Sequence, residues 1–585
     1  MTSLMDRVII LDGSGVHDRQ VVGGKGASIA EMRSLGLPVP PAFCLPVDEC
    51  RRYHASGGNI DDDVWAMVLL GLQVLERETG RMFGDAKAPM LVSVRSGAPV
   101  SMPGMMDTIL NLGMTDDVER ALARMTGDAK FAHNTHLRFI HDFGCTALGA
   151  DIDYPDPGSP AAEVRASVLA DTKQPVPVEP YNQLRGAIHA VFESWTSRRA
   201  VAYRKHWGIP EEGGTAVIVQ AMVFGNMANR SGTGVLFTRN PLNGEPDIYG
   251  EWLPGGQGED VVSGEFDPLP LQSMAGELPD IHSQLIDASR ALERHQRDVQ
   301  DIEFTVEEGR LYLLQSRTAK RSPQAAVRIA VDLAEEGLID RREALRRVSP
   351  EQLISALAPR LSEAAVDAAQ VLARGTPACP GVATGRVVLD SDAAEAAADD
   401  IVLARSSTSP GDVSGMIAAR GLVTEHGGAT SHAAVVSRAL GRPSVVGVGG
   451  GVIEGLAERV VTVDGTAGVV YDGALSTTLV EYREVPGLET LAAWASELSP
   501  VSVVDEAPDV LDLDDLEVAV DARGEIDTEA LASRMSGSAA VRGSILASPE
   551  GARAVIASGV PSVLRLPGQP GAVLLVQILR AEDEV

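Results

Sequence analysis

The sequence predicts a multidomain chain that mixes α/β and α+β architecture, and three observations carry that reading. The chain has 585 residues, and at roughly 150 residues per domain this suggests about four domains. Residues 421–448 read as strand, tight turn, helix, strand, and residues 301–317 (DIEFTVEEGRLYLLQSR) read as an alternating β-hairpin. Hydrophobic residues make up 44%, enough for several cores, and aromatics only 4%, so aliphatic packing must dominate. The formal net charge of -31 argues against a nucleic-acid or anionic-membrane binder. Any phosphate site must therefore be locally basic or metal-assisted.

Cys44, Cys50, Cys145 and Cys379 show no metal-type spacing and are expected to be free thiols of a cytoplasmic protein. The N-terminal stretch lacks the basic start and long apolar run of a signal peptide. The apolar stretch 572–579 is too short to span a bilayer.

Residues 21–41 (VVGGKGASIAEMRSLGLPVPP) predict a Gly-rich turn carrying Lys25, then a short helix closed by Gly36 and Pro38. Such a turn lets backbone amides approach phosphate while Lys25 adds a point charge; a plain surface Gly-Lys turn is the other reading. In residues 90–114 (MLVSVRSGAPVSMPGMMDTILNLGM) a strand runs into a Gly/Pro/Met loop that reads as a packed lid. Arg95 at the strand end either clamps a polyphosphate or pairs structurally with Asp107. Residues 115–204 predict a helical subdomain, with a helix over 183–204 broken near 194–197. Residues 215–262 are strand-rich, and Gly232 and Gly234 predict a β-loop over phosphates, supported by Thr238, Arg239, Asn240 and a second Gly-rich turn at 255–258.

In the 301–317 hairpin, Asp301, Glu303 and Thr305 project from one face. Two carboxylates there suit Mg²⁺, which takes hard oxygen ligands and bridges phosphates; a solvated acidic face is the alternative. The returning strand brings Gln315 and Arg317 to the same region. Ser322 and Pro323 start a helical connector, with further helices over 341–347 and 350–357. Residues 373–386 (ARGTPACPGVATGR) predict a stiff, articulated hinge. Beyond it, Thr430 and Ser431 are good N-caps, and His432 falls in the first turn of a helix stopped by Gly441 and Pro443. A neutral imidazole at a helix N-terminus, where anions are favoured, is a nucleophile candidate for a phosphoryl group; a capping or core histidine is the other reading. Residues 503–515 look acidic and low in order, and residues 516–585 alternate strand and helix as a small α/β domain.

The segments GGATSHAAVVSRALGRPSVVG, 90–114 and 301–317 resemble the pyruvate, phosphate dikinase family of PEP-utilising enzymes, and the resemblance runs over residues 11–480, about four fifths of the chain. It implies an ATP-grasp nucleotide-binding domain over 1–320, with the helical insertion at 115–204, and a helical linker over 321–372. A swivelling β/β/α phosphohistidine domain over 373–485 follows, then an acidic linker and small α/β domain over 486–585. It implies an ATP-dependent phosphotransferase in which Mg·ATP, with phosphate, phosphorylates His432 and releases AMP. Thr430 and Arg95 join His432 as catalytic candidates. Lys25, Arg95, Gln315, Arg317, Gly232 and Gly234 would bind nucleotide, and Asp301 and Glu303 metal. One departure is His426, where the family usually has Arg; it either adds a cation when protonated or weakens phosphate binding.

The family's pyruvate site is an α/β barrel, which needs about 200 or more residues. The tail is shorter and has no Cys, whereas the family's barrel uses one as an acid. The expected full reaction, pyruvate to phosphoenolpyruvate, would then need a separate PEP/pyruvate-binding subunit. A different small-molecule acceptor and a catalytically reduced nucleotide-binding regulator are the alternatives. A homodimer is compatible with this reading.

Overall fold

The computed structural model describes residues 7–582 apart from 16, 101, 103–105, 207, 212, 228–229, 264–267, 516–525 and 567–569. Two antiparallel five-stranded sheets frame the N-terminal part. The first has the order Ile9–Ile10, Ala42–Leu45, Ala216–Ala221, Val92–Gly97, Thr108–Leu112. The second has the order Leu269–Pro270, Tyr249–Pro254, Gly232–Phe237, Gln300–Glu307, Arg310–Thr318. This is the two-sheet ATP-grasp arrangement. The helix Arg19–Ser34 lies between them and is broken at Gly23, whose φ of 71° only glycine adopts readily. A Cβ at Gly23 would sit 1.6 Å from the Gly97 carbonyl oxygen, so the turn before Lys25 and the end of the Arg95 strand press backbone to backbone. Ser28 Oγ accepts from the Ser316 amide at 2.9 Å and ties the same helix to the second sheet.

Five helices, Asp116–Thr126, Ala129–Ala147, Ala161–Thr172, Pro180–Ser194 and Arg198–His206, pack on the first sheet through a shared aliphatic and Phe core. The break between the last two falls at the expected 194–197. Ser322 caps the helix Pro323–Glu335 by accepting from the Ala325 amide at 3.1 Å, and Arg341–Arg346 and Pro350–Ala356 follow as expected.

Residues 371–472 form an eight-stranded sheet. Four adjacent strands of it, Val382–Val388, Ile401–Arg405, Gly421–Thr424 and Ser444–Val446, run parallel. The expected hinge at 373–386 is corrected here. Those residues are ladder strands: Ala373 pairs with Val470, Thr376 with Val446, and Val382 with Asp464. Backbone fixed by cross-strand hydrogen bonds cannot articulate. The link to the rest of the chain is instead a short antiparallel ribbon, Arg360–Leu361 against Thr477–Thr478, through which the chain passes on its way in and out.

At the C-terminal side, Ser502–Val504, Ser562–Leu564, Ala540–Arg542 and Val510–Asp512 build a four-stranded parallel sheet in that order. The stretch expected to be low in order, 503–515, contributes two of these strands, because its β-branched and Leu pairs fit a sheet despite the acidic neighbours. The expected strand over 516–520 lies outside the described residues. The apolar run at 572–579 belongs to a buried helix, Gly571–Glu582. Among the described residues no helix is long and apolar enough to cross a membrane, and all four cysteines are free.

Candidate active site

A cleft of about 760 Å³ opens between the two N-terminal sheets and is closed on one side by the helix His432–Leu440. Lys25, Arg95, Glu303, Gln315 and Arg317 all line it. The hairpin register explains the grouping: Asp301 stands opposite Arg317 and Glu303 opposite Gln315, with a bulge directly after Glu303. Arg317 Nε donates to Asp301 Oδ2 at 2.8 Å. Arg95 Nη2 reaches across from the other sheet to Glu303 Oε2 at 3.3 Å. The structural pairing of Arg95 with Asp107 does not occur; Asp107 pairs with Arg199.

Charge is dense here and shifts protonation. Burial, and next the neighbouring Arg95, push the Lys25 ammonium down to about 7 against the pull of Glu303. Burial opposes ionisation of Glu303, yet Arg95, Arg317 and Lys25 together hold its carboxyl below the usual range. Asp301 is 2% exposed, and burial raises its carboxyl against the opposing Arg317. The donor set fits Mg²⁺: Asp301 Oδ1 and Gln315 Oε1 are buried oxygens with no partner, beside the Glu303 carboxylate. Among the described residues no group of three or more His, Cys, Asp or Glu side chains forms a full metal cage. Mg²⁺ does not need one where phosphate and water complete its shell.

His432 opens its helix. Ser431 is the N-cap and Gly441, at φ 63°, ends the helix in the left-handed region. The imidazole Nδ1 lies 3.2 Å from Thr408 Oγ1, and Nε2 is buried with no partner. Burial lowers its basicity, Asp412 opposing, so the ring is neutral near pH 7. His432 does not itself line the cleft. Val435 and Ala439 do, and at three and seven residues on they share its helix face.

Glu251 fastens this loop to the second sheet. Its carboxylate accepts from the Ala429 amide at 3.0 Å, the Thr430 amide at 3.0 Å and the Thr430 hydroxyl at 2.6 Å. Thr430 is thus engaged in the contact between the two parts of the chain. His426 is exposed, on the far side of the paired glycines.

The expected phosphate-covering loop at Gly232 and Gly234 is corrected. Both lie inside the fully buried strand Gly232–Phe237 and do not line the cleft. A Cβ would meet the Trp252 ring at 2.4 Å at Gly232 and the Phe304 ring at 2.5 Å at Gly234, so the glycines make room for aromatic packing. Thr238 and Arg239 also turn away: both bind Glu293, and Arg239 reaches Glu336 at 2.6 Å. The lid reading falls partly on 101 and 103–105, outside the described residues; Met102 and Met106 line the cleft. Sequence reasoning missed Glu251, Thr408 and Arg438. Arg438 had a usable signal, since it sits beside Val435 and Ala439 on the helix that carries the histidine.

Comparison with known proteins bears on this geometry. Residues 59–277 match the model described as the pyruvate phosphate dikinase AMP/ATP-binding domain. Residues 397–468 match the mobile domain of the PEP-utilising enzymes. One chain thus carries a stretch similar to the dikinase AMP/ATP-binding domain and a stretch similar to the PEP-utilising mobile domain. It is 40% identical over 524 residues to the pyruvate, phosphate dikinase of Clostridium symbiosum, covering 83% of this chain and 60% of that protein. To pyruvate, phosphate dikinase 2 of Zea mays it is 44% identical over 472 residues, 76% of this chain and 53% of that protein. To the Rhizobium meliloti enzyme it is 42% identical over 508 residues, 78% and 56% respectively. The matches thus span little more than half the length of these dikinase relatives. The stretch that matches that mobile domain includes the helix His432–Leu440, which walls the cleft.

Proposed function

We propose that this chain is an ATP-dependent phosphotransferase of the pyruvate, phosphate dikinase type and that His432 carries the transferred group. The observation that supports this most directly is the unpartnered, buried His432 Nε2 on a helix whose next turns wall the cationic cleft. With Nδ1–H donating to Thr408, the lone pair falls on Nε2 and can attack a phosphorus atom of ATP. The bond from AMP to the pyrophosphoryl group breaks and AMP leaves. One phosphoryl then passes to inorganic phosphate, leaving phosphohistidine. Lys25, Arg95 and Arg317 hold the polyphosphate and offset charge on the transferring group. Asp301, Glu303 and Gln315 would hold Mg²⁺, which supplies Lewis-acid stabilisation of phosphate oxygens when bound.

Incubation with β-³²P-ATP and Mg²⁺ should give acid-labile, base-stable label on the parent chain and none on His432→Asn. Persistent label in that variant, with His426 intact, would reject the assignment. AMP rather than ADP should appear, dependent on phosphate. For the onward step we propose pyruvate as acceptor, with a separate PEP/pyruvate barrel subunit. The alternative is transfer to another small molecule. Coupled detection of phosphoenolpyruvate, with and without an added barrel protein, separates the two.

A further inference from the structure

Arg438 is a guanidinium in an unusual position. It is 3% exposed, yet it lines the nucleotide cleft. Nη1 donates to the carbonyl oxygens of Ala378 at 3.1 Å and Ala429 at 2.9 Å. Nε and Nη2 are buried and have no partner. The group lies over the Phe237 ring, 5.4 Å from its centroid. Two carbonyls thus fix the orientation and leave free the Nε/Nη2 edge, the edge whose two parallel N–H groups match an anionic oxygen pair.

The surroundings select the anion. Asp301, Glu251, Tyr249 and Cys379 lie close enough to act on Arg438 electrostatically, but none bonds its free edge. Asp301 gives Oδ2 to Arg317 while its unpartnered Oδ1 makes no bond to Arg438, and Glu251 is held by the Ala429–Thr430 loop. A buried cation left with two unmet donors is costly unless something supplies acceptors. Lys25, Arg95 and Arg317 line the same cleft and add positive charge to it.

Resting on the nucleotide reading above, we infer that Arg438 is a polyphosphate-binding residue lent to the ATP cleft by the helix that carries His432. Its free edge takes oxygens of the β- or γ-phosphate. The cleft is then complete only while the mobile domain is seated, and ATP itself reinforces the seating. Arg438 stands six residues after His432, so phosphate recognition and the nucleophile ride on one rigid element.

The test is binding of Mg·ATP and of AMP to the full chain, with Arg438→Met and Arg438→Lys. Met keeps the length and burial of the stem without the charge. We expect Mg·ATP to bind about 10- to 100-fold more weakly to Arg438→Met, AMP to bind equally, and Lys to recover only part of the loss. Without ligand, Arg438→Met should melt at or above the parent temperature, since a purely structural arginine would instead lower it. If Arg438→Met does not fold, Arg438→Lys decides, because it retains charge but not the fork. Equal ATP affinity, equal losses for ATP and AMP, or full recovery by Lys would each overturn the inference. A parent chain with no affinity for Mg·ATP would overturn the nucleotide reading and this inference together, whereas a binding parent with an indifferent variant overturns the inference alone.

Discussion

Lys25 is a base whose charge the fold opposes. Its ordinary value is 10.5 and the folded chain holds it at about 7. Between those values the unfolded chain binds a proton that the folded chain does not, so stability contributed by Lys25 rises with pH in that window. Polyphosphate reverses the balance by favouring the ammonium. Binding of Mg·ATP at pH 8 should therefore take up close to one proton, and at pH 6 almost none. Calorimetry in buffers of different ionisation enthalpy measures this directly, and Lys25→Met should lose the uptake at pH 8. An uptake unchanged in that variant would assign the proton elsewhere. Lys25, Arg95, Glu303, Gln315 and Arg317 were legible because alternation and turn chemistry place them locally. Glu251 was not, since its partners lie 178 and 179 residues away and no short-range pattern records that contact.

At the scale of the element, the strand Gly232–Phe237 illustrates how composition misleads. Two glycines in three residues weaken strand propensity and suggest a loop. Tertiary packing decides otherwise, because the Trp252 and Phe304 rings occupy the space that side chains would fill. Gly234→Ala would place its Cβ 2.5 Å from the Glu251 carbonyl oxygen and from the Phe304 ring. We expect a loss of about 1–3 kcal/mol from overpacking, read as a lower melting temperature, with Mg·ATP affinity retained well below the transition. A phosphate-covering loop would give the opposite result, weaker ATP binding at unchanged stability. The same physics moved the hinge: Gly and Pro in 373–386 suggested articulation, but edge strands and bulges also accept both residues. By contrast the helix His432–Leu440 was legible at both ends, because cap and stop residues act through local backbone geometry.

For the whole molecule the question is what keeps the mobile domain seated. The ribbon of two residue pairs leaves the eight-stranded domain attached to the rest by little secondary structure. The seat combines apolar contacts of Val413 and Ile417 with the N-terminal core and a polar clamp, the Glu251 carboxylate in the amides that precede His432. A carboxylate on backbone N–H groups makes charge-assisted bonds, but water can replace it once the domain lifts away, so the contact is strong and reversible. The carrier role proposed for His432 needs both properties, since the ring would have to be held for attack and then released toward an acceptor. Glu251→Ala removes the acceptor from three donors without touching the cleft's Lys25, Arg95 or Arg317. We expect the radius of gyration from small-angle scattering to increase and His432 labelling from ATP to slow by about 10-fold or more, because a displaced nucleophile loses its attack geometry. AMP, which needs only the nucleotide domain, should bind as before. Unchanged scattering together with unchanged labelling would show that apolar packing along the helix His432–Leu440, rather than Glu251, holds the two parts together.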